Sequence, residues 1–273
     1  LDIFGDDGNT VKLDKATNTI IYDFQGQDHT FTVENDDGIT ASQGDKYSYI
    51  FNNVGADGSK GTLHIYQSNN QWNPHAGVNG FIASGGKITV NSNLDITATS
   101  DYASVGVAVA NGADLVINGN VKMRKDDPSN PWGIITKNVH GNVGPGGAVS
   151  MDNGYDANYT GARWQPSAFS VGYTRGNITV NGDVDVAVRG TAVNVGAYNA
   201  AEGVHPYDLA TVSLVGDSTR IITPYREKNS VEDFGEFIEP YYSLACYGGT
   251  INVNVKNMEA QKGKVEIVGN IMA

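Results

Sequence analysis

Apolar and polar positions alternate with a period of two over short runs rich in Val, Ile and Thr, as in KITVN from Lys87, DLVIN from Asp114 and NITVN from Asn177. Successive side chains on a strand point to opposite faces, so the pattern predicts strands that bury one face each. No segment carries a convincing helical stripe, and the chain reads as all-β.

The strands come back as a unit: an alternating strand, a small polar corner, then a second alternating strand. GKITVNSNLDI at Gly86, ADLVINGNVKM at Ala113 and GNITVNGDVDV at Gly176 align without gaps. Ile88, Val90, Leu94 and Ile96 then correspond to Leu115, Ile117, Val121 and Met123, and again to Ile178, Val180, Val184 and Val186. Related segments are GTLHIYQSN at Gly61, ATVSLVGDSTRI at Ala210, GTINVNVKNM at Gly249 and GKVEIVGNI at Gly263, so that DLVINGNV near the middle has an echo in KVEIVGNI near the end. Leu63 to Ile88 is about 25 residues and Ile88 to Leu115 about 27, the range in which one repeat makes one turn of a solenoid.

A β-sandwich also alternates, but it gives no reason for near-identical strand-corner-strand units. A parallel β-helix does: no single coil can bury its apolar face, so equivalent positions stack into continuous ladders. Corners of Asn, Gly and Asp fit backbone that visits left-handed conformations. Asn91, Asn118 and Asn181 share one corner and are placed to bond along the stack or simply to form turns.

This divides the chain into residues 1–60, an irregular N-terminal β region or cap of the solenoid, and residues 61–273, coils with inserted loops near 124–170, 200–209 and 227–242. IIYDF and HTFTV are the strands expected in the first part. Leu115 to Ile178, about 63 residues, holds either a long insertion or an extra coil. The last segment reads as an interrupted repeat, with the expectation that the natural protein continues.

Composition narrows the function. The 273 residues include 34 glycines, 8 prolines and one cysteine, with 40% hydrophobic residues, enough for a sizeable core. A formal net charge of -12 would repel a phosphate backbone or an anionic lipid surface, which argues against a nucleic-acid partner. Cys246 alone forms no intrachain disulfide, and no cysteine or histidine spacing suits zinc. The start, LDIFGDDGNT, has neither the basic nor the apolar region of a signal peptide, and no run reaches membrane-spanning length.

Catalytic patterns are thin. The pairs Asp6 and Asp7, Asp36 and Asp37, and Asp126 and Asp127 sit in turn-forming contexts that account for them. His29, His64, His75, His140 and His205 are scattered without metal-ligand spacing, and His64 falls on the outer face of its strand. Asp152, Asp156 and Asn158 cluster in DNGYDANYTG but lack the order and terminal glutamate of a calcium loop. Neither a cofactor nor a metal site is expected.

The insertions carry more. Trp132, Tyr155, Tyr159, Arg163 and Trp164 concentrate between Arg124 and Ser170 among Gly, Ser and Asn. Such a mixture suits recognition loops, because aromatics give contact area at low entropic cost. It equally suits aromatics that cover a flank of the apolar ladder. The segment from Glu227 to Tyr242 places Phe234 and Glu236 in an acidic, aromatic stretch, either a solvated lid or a contact patch for a basic partner. Trp132, Tyr155, Tyr159, Arg163, Trp164, Phe234 and Glu236 are thus the candidate ligand-binding residues.

The repeated GKITVNSNLDI, ADLVINGNVKM and GNITVNGDVDV units, with the acidic cysteine-poor composition and the interrupted last repeat, resemble the passenger region of type V autotransporter adhesins from Gram-negative-type bacteria. The resemblance covers most of the chain from about Gly61 onward. It implies a right-handed parallel β-helix, a signal peptide removed before Leu1, and export through a C-terminal outer-membrane barrel beyond Ala273. Low cysteine content suits that route. The long glycine-paired repeats of self-associating members are absent, so their mode of association does not carry over.

The function expected is therefore a non-enzymatic adhesin on the bacterial surface or released from it. Its partners would be a host surface protein or glycan, or another copy of itself in a biofilm; no nucleic acid is expected, and membrane contact only through the barrel. A carbohydrate-active β-helix enzyme, a polysaccharide lyase or depolymerase, is the alternative, recognisable by a groove with converging carboxylates. A spacer stalk is a third, recognisable by loops that are merely short and polar.

Overall fold

A computed structural model of the chain describes residues 10–34, 39–41, 47–68, 78–84, 86–98, 104–110, 113–123, 167–171, 176–187, 191–195, 210–222, 230–231, 237–238, 242–246, 249–254 and 263–272. The described residues form strands and turns, with no helix. Strand β1 (Thr10–Asp14) is followed by seven tiers of three strands. The first tier is β2 (Thr19–Asp23), β3 (His29–Glu34) and β4 (Ile39–Ala41), and the second β5 (Ser48–Asn52), β6 (Thr62–Ser68) and β7 (Val78–Ser84). The third is β8 (Lys87–Asn91), β9 (Asn93–Ala98) and β10 (Ser104–Ala110), and the fourth β11 (Ala113–Ile117), β12 (Val121–Met123) and β13 (Ser167–Val171). The fifth is β14 (Gly176–Val180), β15 (Val184–Ala187) and β16 (Thr191–Val195). The sixth is β17 (Ala210–Leu214), β18 (Ser218–Ile222) and β21 (Tyr242–Cys246), with the short antiparallel pair β19 (Ser230–Val231) and β20 (Phe237–Ile238) between its last two strands. The seventh is β22 (Thr250–Val253), β23 (Lys264–Val268) and β24 (Asn270–Met272).

Within every tier the chain visits three sheets in the same order, and each strand pairs in parallel with its counterpart in the next tier. Among the described residues the antiparallel pairings are β1 with β2, the small β19–β20 pair and an isolated bridge between Val54 and Lys60. In the first sheet, Ile88, Leu115, Ile178 and Val212 align in one column and Val90, Ile117, Val180 and Leu214 in another, all fully buried. In the second sheet Leu63, Leu94, Val121 and Val184 line up beside Ile65, Ile96, Met123 and Val186. Each such aliphatic residue contributes about 1.5–3 kcal/mol by leaving water, which is the main force holding tier on tier.

This register matches the sequence alignment of the units at Gly86, Ala113 and Gly176 position for position. Two other segments are displaced by one strand. Leu63 pairs with Leu94, not with Ile88, so GTLHIYQSN is a second-sheet strand whose first-sheet predecessor is Ser48–Asn52. KVEIV of β23 likewise belongs to the second sheet, so its likeness to DLVINGNV joins a first-sheet strand to a second-sheet one. Any buried parallel strand alternates in the same way, and strand pattern alone does not fix which sheet it joins.

The three sheets already include β2, β3 and β4, so the described register runs back to Thr19. This end is packed with rings instead of aliphatics: Tyr22 stacks on Phe51 at 5.0 Å and Phe24 meets Phe31 edge-on at 5.8 Å. The β1–β2 turn is fastened by Asp14, whose carboxylate accepts the Ala16 amide and the Thr17 hydroxyl at 2.9 and 2.8 Å. These bonds, the Thr17 hydroxyl first, hold its pKa below the ordinary carboxylate range.

Because β11 pairs directly with β14, the long Leu115–Ile178 separation is an insertion, residues 124–166 between β12 and β13, and not an extra tier. Residues 196–209 separate β16 from β17, and 223–241 separate β18 from β21.

The corner glycines have a different cause from the left-handed backbone expected of them. Positive φ occurs at Asn18, Gln25, Gly26, Gly58, Gly249 and Gly269, and not at Gly119, Gly182 or Gly216. Those three lie backbone on backbone along the stack: a Cβ on Gly119 would strike the Ser92 carbonyl, one on Gly182 the Gly119 carbonyl, and one on Gly216 the Gly182 carbonyl. Glycine is required there for close approach.

Candidate functional site

Trp132, Tyr155, Tyr159, Arg163, Trp164, Phe234 and Glu236 all lie outside the described residues, as do Asp126, Asp127, Asp152, Asp156 and Asn158. Among the described residues the chemistry collects on the outer face of the second sheet.

That face follows from the strand period. With Leu63, Leu94, Val121, Val184 and Thr219 inward, the next residue on each strand points out. In register these are His64, Asp95, Lys122, Asp185, Arg220 and, in the seventh tier, Glu266. From the second tier to the seventh the column alternates in sign when His64 is charged, and the first tier adds the neutral Thr30. His64 Nδ1 lies 3.6 Å and Lys122 Nζ 4.0 Å from the same Asp95 oxygen. Arg220 reaches back to Asp185 at 3.5 Å and forward to Glu266 at 3.6 Å, and Lys264 adds a contact to Glu266 at 3.2 Å. These side chains stay partly exposed, so each pair adds little stability, and the column's main property is the charge pattern it presents.

The corner before each second-sheet strand is fixed by side chains that bond the next tier's backbone. Asp28 Oδ1 accepts the Thr62 amide at 2.8 Å and Asn93 Oδ1 the Asn120 amide at 3.0 Å. Asn120 Oδ1 accepts the Asp183 amide at 2.9 Å and Asp183 Oδ1 the Ser218 amide at 2.8 Å. On the first-sheet side of the corner, Asn118 donates to Asn91 and Asn181 to Asn118, both at 2.8 Å. The asparagines therefore form a ladder as well as turns. Beneath the corner, buried Asn53 donates to Ser92 Oγ at 3.2 Å, and that hydroxyl lies 3.0 Å from the Gly61 carbonyl.

Between column and corner runs an open groove of about 250 Å³, lined by polar and charged Thr62, Asn93, Asp95, Asn120, Lys122, Asp183 and Asp185 together with Leu94 and Val121. It holds three carboxylates, with Lys122 and Arg220 beside Asp95 and Asp185. Among the described residues no group of three His, Cys, Asp or Glu side chains is placed to hold a metal ion. Of the described histidines, His64 faces outward as its strand position predicted, and His29 packs 5.2 Å from the Phe24 ring. In the second and seventh tiers of the face Tyr66 and Val268 are large apolar side chains 42% and 46% exposed.

The sequence already contained this column. Asp95, Lys122 and Asp185 occupy one position in the aligned units SNLDI, NGNVKM and NGDVDV. On each strand they form only the polar half of an alternation, because a single strand does not reveal that its neighbours' charges have the opposite sign.

No protein-family model matches the chain, and no curated protein or solved structure is significantly similar to it.

Proposed function

We propose that the chain is a right-handed parallel β-helix that serves as the passenger of a type V-secreted adhesin, attaching a bacterial cell to a host protein or glycan or to another cell without catalysing a reaction. The observation that carries this reading is the three-sheet stack with a constant visiting order and buried apolar columns, with the insertions falling between strands. A solenoid of this kind gives an elongated flank of regular spacing on which loops and side-chain columns act many times over. An acidic chain with one cysteine, half-buried on β21, is consistent with passage through an export pore in extended form. The insertion at 124–166, rich in Trp, Tyr and Arg, is the loop assigned to ligand contact.

The groove beside Lys122 is the feature that favours the enzyme alternative, since Asp95, Asp183 and Asp185 lie along it. Against that role, Asp183 already accepts the Ser218 amide and Asp95 and Asp185 lie against cations, so none of the three stands as a free carboxylate. The two readings separate in one experiment. Beads displaying the chain are scored for attachment to cells while the same preparation is screened for release of sugar from polysaccharides. Attachment without sugar release supports the adhesin; sugar release overturns it.

A further inference from the structure

We infer that the outer face of the second sheet is a self-association surface, on which two copies of this chain pack face to face with their tier order reversed. This rests on the attachment reading and names its partner: a second copy, bound through the column His64, Asp95, Lys122, Asp185, Arg220 and Glu266.

The argument is one of symmetry. A two-fold axis lying along the strands, midway between the tiers of Lys122 and Asp185, reverses the column and keeps each residue's place along its strand. His64 then faces Glu266, Asp95 faces Arg220 and Lys122 faces Asp185, and each pair occurs twice. Every level brings opposite signs together, with His64 as a cation when protonated. Packing with the tiers in the same order would oppose like charges at every level, so the column sets orientation as well as partner.

The neighbouring columns agree with this register. One strand position beyond Ile65 and Ile267, the same operation brings Tyr66 opposite Val268, covering the two large apolar side chains left exposed in the second and seventh tiers of the face. Thr97 comes opposite Ile222. On the corner side Asp183 meets Asn120 and Lys264 meets Thr62, so no like charges are forced together. On a chain of net charge -12, which repels its own copies, a column of three carboxylates with Lys122, Arg220 and His64 is a place where that repulsion is relieved. The corner bonds and buried columns hold the face in shape before contact, so little ordering is lost on association.

Size sets the strength. From His64 to Glu266 the column is about 24 Å long at the spacing of neighbouring strands. The face offers about 500 Å² per copy, below the roughly 800 Å² per partner of a stable complex. A single pair of copies therefore holds weakly in solution, and the contact works between surfaces that display many copies.

The test uses beads coated with the whole chain, with clumping read by light scattering. Wild-type beads are expected to clump at 0.15 M salt and to disperse at about 1 M, where charges are screened within about 3 Å. Lys122→Asp, which sets carboxylates opposite Asp185 on both sides of the axis, is expected to lower the clumped fraction by about tenfold. Combining Lys122→Asp with Asp185→Lys restores complementarity between identical copies and opposes like charges against the wild type. Two-colour mixtures should therefore clump by colour. Undiminished clumping of the single variant, or free mixing of the exchanged variant with wild type, would overturn the proposal.

Should circular dichroism show that the charge variants do not fold, the register is read by cross-linking in a Cys246→Ser background. A bis-maleimide spanning the roughly 10 Å between packed sheets should join Tyr66→Cys chains to Val268→Cys chains. Joining Tyr66→Cys chains chiefly to one another would refute the reversed order. Failure here is distinct from failure of the attachment reading: beads that bind other cells but never clump with one another remove the self-contact and leave the adhesin standing.

Discussion

Gly182 stacks directly on Gly119: a methyl on Gly182 would overlap the Gly119 carbonyl and stand 2.8 Å from the Asn120 nitrogen. The obstacle is backbone, which cannot rotate aside, so Gly182→Ala must push two tiers apart. Overpacking of this kind costs about 1–3 kcal/mol, and a corner held on both sides lies at the upper end. Gly58 is the control. It has φ of +82° but open space around its missing Cβ, so Gly58→Ala meets only the left-handed penalty. Thermal melts should show the larger loss for Gly182→Ala; equal losses would remove the stacking explanation.

Ile117 is buried completely between Val90 and Val180. Ile117→Asp puts a carboxylate with no cation into the apolar column, at a cost of several kcal/mol even after it takes up a proton. Since each tier is held mainly by its neighbours, the damage should spread to the tiers on either side. Far-UV circular dichroism should show lost strand signal or a strongly lowered melting temperature, and an unchanged spectrum would reverse the inward assignment of that face.

The repeat was legible in the sequence wherever the inward residues were Val, Ile or Leu on two strands separated by a short corner. Ile88, Leu115 and Ile178 stood at matching places because one first-sheet strand and one second-sheet strand follow each other closely in each unit. The third-sheet strands were not legible. SVGVAVA at Ser104, SAFSV at Ser167 and TAVNV at Thr191 share no common residue pattern and follow connections of very different length, so spacing does not mark them. At the N-terminal end, Tyr49 and Phe51 stand where later tiers have Ile and Val, which hides the register in a change of residue class. The charged column escaped for another reason: sign alternation across tiers is a property of neighbouring strands, and it shows only when the sheet is assembled.

Asp14 gives a dependence on pH with a definite sign. Its pKa in the folded chain is depressed, first by the Thr17 hydroxyl and then by the Ala16 amide. A carboxylate of this kind contributes stability that is present above its unfolded pKa and is lost as pH falls through the folded value. The β1–β2 turn should thus be firm at neutral pH and loosen in acid. Carboxyl NMR should find the Asp14 midpoint below that of a free aspartate, and Thr17→Val should move it upward. A midpoint unaffected by Thr17→Val would assign the shift to something other than this bond.

Trp164 falls in the sequence between β12 and β13, outside the described residues. If that loop contacts ligand, Trp164→Ala should leave the melting temperature within about 1 °C and weaken cell attachment severalfold, as truncation of an aromatic anchor does. Attachment equal to the wild type at unchanged melting would take the loop out of the binding site. A lowered melting temperature would instead favour the reading in which the ring covers a flank of the stack.

Thr219 interrupts the apolar column that runs from Leu63 through Leu94, Val121 and Val184. It pairs with Val184 on one side and Val265 on the other, is 1% exposed, and its Oγ1 has no hydrogen-bond partner. A buried hydroxyl left unbonded costs about 1–3 kcal/mol, and valine has nearly the same shape without it. Thr219→Val should therefore raise stability by about 1 kcal/mol, which for a chain of this size is a rise of roughly 2–4 °C in Tm. The change leaves the outward neighbour Arg220 in place, so bead clumping should be unaffected while the melt shifts upward. If Thr219→Val melts lower than the wild type, the hydroxyl has a partner in solution and the second-sheet column is wetter at the sixth tier than its apolar neighbours imply.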